Sequence, residues 1–304
     1  MKIGFSGLGQ MGRHIAHNLL SGGNDLIVCD VKADAFAEFR ASGARATANL
    51  SELSSADIIF LCLPSAAVVK SVLLGDGGLA GHLKAGQTVV DLSTITYSAT
   101  TEIGQTLEAR GIAFLDAPVS GMEARAKDGT LTVMCGGQLK TFEAVRPHLE
   151  LIGSKILFMG PSGSGQLTKL INQLLFDINA AALAEILPMA VKLGLDPANV
   201  ADVVNSGTGR SYASEFFVPR VLKGDFKSGY PMKAAYKDLV SAAEISANLG
   251  IPLPVLAAAT ATYQQALLKG HGDEDKGAMI RLFEDLLDVR FRDAQLSERE
   301  AEHG

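Results

Sequence analysis

A glycine-rich segment near the start of the chain has the spacing of a dinucleotide phosphate-binding loop. It follows an apolar run, Lys2 to Ser6, that predicts a strand, and it begins a run that predicts a helix. The segment matches G-x-G-x-x-G and reads Gly7-Leu8-Gly9-Gln10-Met11-Gly12. In this context the glycines permit a tight turn, let a pyrophosphate approach the backbone, and let helix and strand pack closely. N–H groups at the helix start then face the phosphates.

An acidic residue ends the second predicted strand, Leu26–Asp30. Asp30 lies 18 residues after Gly12, where a carboxylate can accept hydrogen bonds from the ribose hydroxyls. A carboxylate there also repels a 2′-phosphate, so the sequence predicts NAD in preference to NADP. Lys32 can partly offset that repulsion, although it also fits an ordinary solvated loop lysine.

A lysine on an apolar helix is the candidate for proton transfer. Lys169 and Asn172 lie three residues apart in the predicted helix Gln166–Leu193, and therefore on one face. An unpaired buried cation is costly, so Lys169 needs a pocket, a partner or a function. Desolvation beside a positively charged nicotinamide would lower its pKa toward the range of proton transfer. A lysine that reaches the surface along its own stem is the alternative.

A loop after a short predicted strand is the candidate for holding a carboxylate. It runs from Asp116 to Met122, and its Ser120-Gly121 pair offers a hydroxyl and closely spaced N–H groups. By composition alone the same segment can be a structural turn.

Composition excludes several other classes of function. The chain has 304 residues, a net charge of −6 and 47% hydrophobic residues, without the concentrated basic surface that nucleic acid requires. His14 and His17 lack further ligands for a metal site. Three isolated cysteines suggest a reducing compartment, and no apolar stretch reaches the length of a membrane span, so we expect a cytoplasmic protein without a membrane segment.

The elements that must position these residues change in type near residue 161. Before it, short apolar runs alternate with helical stretches, which predicts a parallel sheet covered by helices on both sides. After it helices dominate, with starts expected near Pro197, Met232, Pro254 and Lys276 and a kink at Pro188. We therefore predict an α/β dinucleotide-binding domain over 1–161, an all-α domain over 162–290 and a charged tail over 291–304.

Taken in order, these motifs resemble the β-hydroxyacid dehydrogenase family. The resemblance runs from Ile3 to about Phe283. It is carried by the glycine motif and by three further segments: Asp116-Ala-Pro-Val-Ser-Gly121 with Gly129-Thr-Leu-Thr-Val-Met134, Gly163-Ser-Gly-Gln-Leu-Thr-Lys-Leu-Ile-Asn172, and Lys237-Asp238-Leu239. It implies a Rossmann domain joined by a long helix to an all-helical domain. It also implies NAD(P)-dependent oxidation of a small 3-hydroxy acid. We expect no metal, because a lysine and a fixed substrate geometry can serve the alkoxide-like transition state.

The resemblance assigns roles to residues that spacing alone leaves open. Lys169 would be the general acid and base and Asn172 its neighbour at the substrate, while Ser120 and Gly121 would hold the substrate carboxylate. On the cofactor side it implies the Leu63-Pro64 pair, Thr94 near the nicotinamide ribose, and Lys237, which would also serve the substrate.

Two departures from the family pattern concern the substrate. Met122 stands where the family usually has a second glycine, which would narrow the pocket or reshape the carboxylate loop. Asn172-Gln173 is similar to the threonate dehydrogenase branch and favours a polyhydroxylated acid. Arg125 can contact a second anionic group or can be an ordinary surface arginine.

The sequence also bears on two alternative functions and on the oligomeric state. A decarboxylating enzyme similar to 6-phosphogluconate dehydrogenase lacks support, because no cluster of cations for a sugar phosphate is evident. A dinucleotide sensor without chemistry would have no need of Lys169, Asn172 or Ser120-Gly121. The long apolar helix predicts a homodimer or homotetramer through the second domain.

Overall fold

The computed structural model describes residues 1–293, which divide into two compact units. The first unit runs from Met1 to Lys169 and the second begins at Leu170. This division falls inside a helix, a few residues beyond the boundary predicted at residue 161, and the domain limits drawn from the sequence stay predictions.

The first unit is built on a sheet of nine strands within the described residues. The strands are β1 (Lys2–Ser6), β2 (Asp25–Cys29), β3 (Arg45–Thr47), β4 (Ile58–Leu61), β5 (Thr88–Asp91), β6 (Ala113–Asp116), β7 (Val119–Ser120), β8 (Leu131–Gly137) and β9 (Gly153–Gly160). Their order is β3-β2-β1-β4-β5-β6-β8-β7, with β9 paired to β8. Strands β1 to β6 run parallel, β8 is antiparallel to both β6 and β7, and β9 runs parallel to β8. The expected parallel sheet is confirmed.

Helices cover both faces of this sheet because its central strands are apolar on both faces. They are α1 (Gly12–Ser21), α2 (Phe36–Ala41), α3 (Ala66–Leu74), α4 (Tyr97–Glu108), α5 (Met122–Lys127) and α6 (Leu139–Leu149), with 3-10 turns at Leu50–Ser55 and Leu79–Gly81. Ile58 and Phe60 of β4 point into one core, and Ile59 and Leu61 into the other.

The apolar runs of the sequence predict strands at 2–6, 26–30, 58–63, 88–92, 113–115 and 131–135, so three strands were not anticipated: β3, β7 and β9. The first two contain three and two residues, too few to show a hydrophobic period. Strand β9 is apolar, but it pairs only with β8, and its Leu157, Phe158 and Met159 are exposed. Without alternating burial, the pattern typical of a half-buried strand is missing.

The second unit is helical, as expected. It contains most of α7 (Ser164–Lys192), then α8 (Pro197–Ser206), α9 (Tyr212–Leu222), α10 (Met232–Leu249), α11 (Pro254–Leu268) and α12 (Ile280–Leu287), with 3-10 turns at His271–Asp273 and Lys276–Met279. Asp196 accepts a hydrogen bond from the N–H of Asn199 and so caps α8. Helix α9, which the sequence analysis did not predict, begins with a capping box between Ser211 and Ser214. Helix α7 is continuous through Pro188, so the kink stays a prediction.

The end of the described chain packs on α12. Phe291 is fully buried, and its N–H donates to Glu284 Oε1 at 2.9 Å. Arg292 also pairs with Glu284. The first residues of the predicted charged tail therefore belong to the packed unit, and its remainder, 294–304, lies outside the described residues.

Candidate active site

The glycine loop after β1 has the geometry that a pyrophosphate requires. Gly7 has a φ of 101°, and a Cβ there would collide with the carbonyl oxygen of Cys62. A Cβ on Gly12 would collide with the carbonyl oxygen of Gly7. By contrast, nothing lies within 4 Å of a Cβ built on Gly9, so the space in front of the loop is open. Helix α1 starts without a side-chain cap, which leaves this end suited to a phosphate group.

Asp30 lies beside this loop, directly after β2. Its Oδ2 accepts a hydrogen bond of 2.6 Å from the N–H of Leu8, and its Oδ1 accepts one of 2.9 Å from the N–H of Lys32. Both oxygens are thus oriented by backbone donors, and each keeps a lone pair for a ribose hydroxyl. The residues present fit a bound dinucleotide.

The next strands place Leu63, Pro64 and Thr94 along the same edge of the sheet. Leu61, at the end of β4, lies beside Ser6 of β1 and Asp91 of β5. The predicted cofactor residues thus follow the carboxyl ends of adjacent parallel strands, where open α/β sheets bind their ligands. The N–H of Leu63 donates to Ser93 Oγ at 2.9 Å, and the N–H of Ser93 donates to Asp91 Oδ1 at 2.9 Å.

Buried carboxyl groups end two of these strands. Burial raises the pKa of Asp91 to about 7, although hydrogen bonds from Ser93 lower it. Burial likewise raises the pKa of Asp116 to about 6, although hydrogen bonds from the N–H groups of Gly163 and Gln166 lower it. Sequence reasoning placed Asp116 only within a motif and gave it no role of its own.

The carboxylate-binding candidate Ser120-Gly121 ends β7 and leads into α5. Ser120 and Gly121 are half-buried, and Gly121 has a φ of 140°. Met122 follows with a φ of 59°, in the left-handed region that favours glycine. This backbone conformation explains physically why a glycine suits this position and why Met122 is a costly departure.

Glu123 joins this loop to the dinucleotide loop. Its Oε2 accepts a hydrogen bond of 2.6 Å from Gln10 Nε2, and its Oε1 lies 3.0 Å from His14 Nε2. These contacts with His14 and Gln10 lower the pKa of Glu123. Sequence reasoning missed this link, because 113 residues separate Gln10 from Glu123. The Arg125 guanidinium donates to the carbonyl of Thr130 in its own loop.

Lys169 is buried on α7, and the start of that helix is anchored to the sheet. The side chain of Lys169 is 9% exposed, whereas Asn172 is exposed. Asp116 Oδ1 accepts a hydrogen bond of 2.7 Å from the N–H of Gly163, and Oδ2 accepts one of 3.0 Å from the N–H of Gln166. A carboxylate at a helix N-terminus is stabilised by the helix dipole, so Asp116 serves as a cap for α7.

The second unit contains one further predicted residue, Lys237. It is half-buried on α10, and its carbonyl accepts a hydrogen bond of 3.0 Å from Ser241 Oγ. The neighbouring Asp238 is buried. Over residues 1–293 no group of three His, Cys, Asp or Glu side chains could hold a metal ion.

Comparison with known proteins identifies the family. A family model described as the NAD binding domain of 6-phosphogluconate dehydrogenase matches residues 2–160. A second, described as NAD-binding of NADP-dependent 3-hydroxyisobutyrate dehydrogenase, matches residues 163–283. The 2-(hydroxymethyl)glutarate dehydrogenase of Eubacterium barkeri is 38% identical over 95% of this chain and 97% of that protein. The L-threonate dehydrogenase of Cupriavidus necator is 33% identical, covering 92% and 95%.

A solved structure agrees with this assignment. The crystal structure of a 3-hydroxyisobutyrate dehydrogenase from Salmonella typhimurium superposes with a TM-score of 0.85 at 32% identity, covering 93% of this chain and all of that one. The resemblance predicted from the motifs is therefore confirmed, as is the fold of a Rossmann domain followed by helices. The chain belongs to the β-hydroxyacid dehydrogenase family and is an NAD(P)-dependent oxidoreductase of small 3-hydroxy acids.

Proposed function

We propose that Lys169 accepts the hydroxyl proton when the 3-hydroxy acid is oxidised and returns it in the reverse reaction. When bound, the nicotinamide accepts the hydride from the carbinol carbon, which becomes a carbonyl. The O–H proton passes to Lys169 Nζ, so both hydrogens of the substrate are accounted for. The observation that carries the proposal is a buried lysine on a helix whose start is hydrogen-bonded to Asp116 at the end of β6.

The test compares Lys169→Ala with Lys192→Ala. Lys192 lies on the same helix, and its ammonium donates to the carbonyl of Leu287. We expect Lys169→Ala to abolish turnover while the affinity for NAD(P)H, measured by fluorescence titration, changes only a few-fold. Lys192→Ala is expected to keep wild-type turnover. Retained turnover in Lys169→Ala would overturn the assignment.

We further propose that the remaining predicted site residues hold the substrate. Ser120 and Gly121 fix its carboxylate, Met122 limits the substituent beside that carboxylate, and Asn172 and Lys237 contribute polar contacts. Support comes from the half-buried loop of Ser120 and Gly121 and from the family resemblance. A screen that follows NADH absorbance over 2-(hydroxymethyl)glutarate, L-threonate, 3-hydroxyisobutyrate, glycerate and serine would identify the substrate. The resemblance of Asn172-Gln173 to the threonate branch favours a polyhydroxylated acid.

We propose NAD as the preferred coenzyme. The carboxylate of Asp30 is oriented by the N–H groups of Leu8 and Lys32, in a position to meet the ribose hydroxyls and to repel a 2′-phosphate. Asp30→Ala should therefore lower the kcat/KM with NAD relative to the kcat/KM with NADP. A wild-type enzyme that already prefers NADP would contradict this interpretation.

A second copy of the chain is the proposed partner at the outer face of α7. Ile171, Leu175, Ile186 and Met189 on this helix are between 47% and 61% exposed. The expectation that no apolar stretch reaches the length of a membrane span is wrong, because α7 is long and apolar enough to cross a membrane by length and composition alone. Its Asp177 forms a buried ion pair with Lys276, which suits a water-soluble helical core. Light scattering should show a dimer or tetramer; a monomer, or binding to lipid vesicles, would contradict it.

We propose a cytoplasmic location on the chemistry of the cysteines. Cys29, Cys62 and Cys135 are free thiols. Burial raises the pKa of Cys29 to about 11 and those of Cys62 and Cys135 to about 12. Such thiols are unreactive, which is compatible with a reducing compartment. Fractionation of the producing cells, with activity recovered in the soluble fraction, is the expected result.

A further inference from the structure

We propose that Gln166 is a positioning residue that aligns the Thr94 segment with Lys169. Its amide fixes the backbone on both sides of Thr94, and its helix carries Lys169. This inference rests on the proposed role of Lys169. One side chain would thus set the distance between the cofactor side of the reaction and the proton acceptor.

The amide of Gln166 brackets Thr94 through the two adjacent residues. Gln166 Nε2 donates to the carbonyl oxygen of Ser93 at 2.6 Å, and Gln166 Oε1 accepts from the N–H of Ile95 at 3.2 Å. The side chain is 2% exposed, so water does not compete for these groups. Ser93 Oγ in turn accepts a hydrogen bond from the N–H of Leu63, so this set of hydrogen bonds extends to the residues that follow β4.

The helix transmits this position to Lys169. Gln166 and Lys169 are three residues apart on α7 and share a face. The backbone N–H of Gln166 also donates to Asp116. The first turn of α7 is therefore held at two points, the end of β6 and the loop after β5. A helix is stiff over one turn, so movement at Gln166 moves Lys169.

Glutamine is suited to this task by its hydrogen-bonding groups. The site needs a donor for the Ser93 carbonyl and an acceptor for the Ile95 N–H, and an amide supplies both. A leucine supplies neither. An ionised glutamate accepts from Ile95 but turns an oxygen toward the Ser93 carbonyl, while a protonated glutamic acid can do both.

The experiment compares Gln166→Leu with Gln87→Leu. Gln87 is a matched control in the same unit, because its Nε2 donates to the carbonyls of Ser54 and Ala56 and its Oε1 accepts from the N–H of Lys84. Both variants lose amide hydrogen bonds, which are buried at Gln166 and part-buried at Gln87, and both should have lower melting temperatures. We expect only Gln166→Leu to lose kcat, by about 100-fold, because an error of about 1 Å in alignment has that effect. Its affinity for NAD(P)H should change only a few-fold.

A second variant keeps the test decisive if Gln166→Leu does not fold. The kcat of Gln166→Glu, divided by that of the wild type, should rise as pH falls, because a buried carboxyl group gains its proton more readily. The neighbouring titratable groups Asp91, Asp116 and Lys169 are present in both proteins, so a change of the ratio with pH arises from the new carboxyl group at residue 166, through its own titration and its effect on these neighbours. The reduction of the aldehyde or keto acid is the direction to measure, since it uses protonated Lys169.

Three results would decide against the positioning role. The first is a folded Gln166→Leu enzyme with wild-type kcat, and the second is a Gln87→Leu enzyme that loses as much kcat as Gln166→Leu. The third is a ratio of the Gln166→Glu kcat to the wild-type kcat that does not change with pH. If Lys169→Ala is inactive while Gln166→Leu is normal, only this inference fails. If Lys169→Ala remains active, the proposed function itself fails.

Discussion

Replacing Lys276 by methionine tests how the helical unit tolerates buried charge. Lys276 is 3% exposed, and its ammonium pairs with Asp177, which is fully buried. The ammonium also lies 4.4 Å from the ring centroid of Phe176. Tyr263 Oη donates to Asp177 Oδ1 at 3.2 Å. Within the described chain, Asp177 Oδ2 accepts no hydrogen bond, so the carboxylate depends on Lys276 for its compensation.

The free energy involved follows from that burial. Burial, together with the nearby Asp238, raises the pKa of Asp177 even though Lys276 and Tyr263 lower it. Removing one partner of a buried ion pair costs about 3–5 kcal/mol. Replacing both partners by apolar residues, as in Asp177→Leu with Lys276→Met, is often neutral or stabilises by about 1–4 kcal/mol. We therefore expect the single variant to be much less stable than the double variant.

The pH dependence provides a second measurement on the single variant. Without Lys276 the folded protein holds Asp177 protonated, whereas the unfolded chain releases this proton near its ordinary pKa of 3.8. The stability of the variant therefore falls with pH above that value, by about 1.4 kcal/mol per pH unit, until the folded carboxyl ionises. The wild type loses stability in the same way, but only up to a lower pH, because Lys276 lowers the raised pKa of its Asp177. The penalty measured at pH 8 should exceed that at pH 5.

Urea unfolding at both pH values measures these differences. The control is Lys233→Met, which breaks the exposed ion pair between Lys233 and Asp273. Because exposed pairs contribute little, this control should stay within about 1 kcal/mol of the wild type. A Lys276→Met protein as stable as the control, or a double variant no more stable than the single, would refute the reasoning.

Two further substitutions test strain and charge beside the proposed active site. Asp91→Asn should raise the free energy of unfolding at pH 8 by about 1–4 kcal/mol, since burial raises the pKa of Asp91 from 3.8 to about 7. Between pH 3.8 and about 7 the folded protein keeps the proton on Asp91 and the unfolded chain has lost it, so the wild type loses stability as the pH rises. The gain from Asp91→Asn should therefore vanish near pH 4. An Asn variant that is less stable than the wild type at pH 8 would contradict this. At residue 122 the φ of 59° predicts that Met122→Gly is more stable than Met122→Ala. The expected difference in the free energy of unfolding is about 1 kcal/mol, opposite to the usual order of glycine and alanine in helices. If urea unfolding shows that the alanine variant is the more stable one, residue 122 is not strained.

The sequence alone determined the features that depend on neighbouring residues. The glycine loop, its strand and helix, and Asp30 at the end of the next strand all have local signatures, and the structure places them at one edge of the sheet. The alternation of apolar runs and helices, followed by helices alone, was sufficient for the fold class. The order of the motifs was sufficient to predict the family.

The tertiary structure decided which distant polar groups meet. Asp116 caps a helix 47 residues further along the chain, and Gln166 reaches back 73 residues to Ser93. Glu123 meets Gln10 across 113 residues. No local period encodes such pairs, because they depend on how the elements pack and not on the order of residues within one element.

Backbone conformation was the other property that only the structure revealed. Met122 differs from the family pattern in sequence, but its positive φ shows that the difference carries strain. Short strands such as β7 likewise form because a longer neighbour, β8, offers hydrogen-bonding partners. Periodicity therefore predicts the long elements of this protein, while packing determines its short strands, its strained loop and its buried polar contacts.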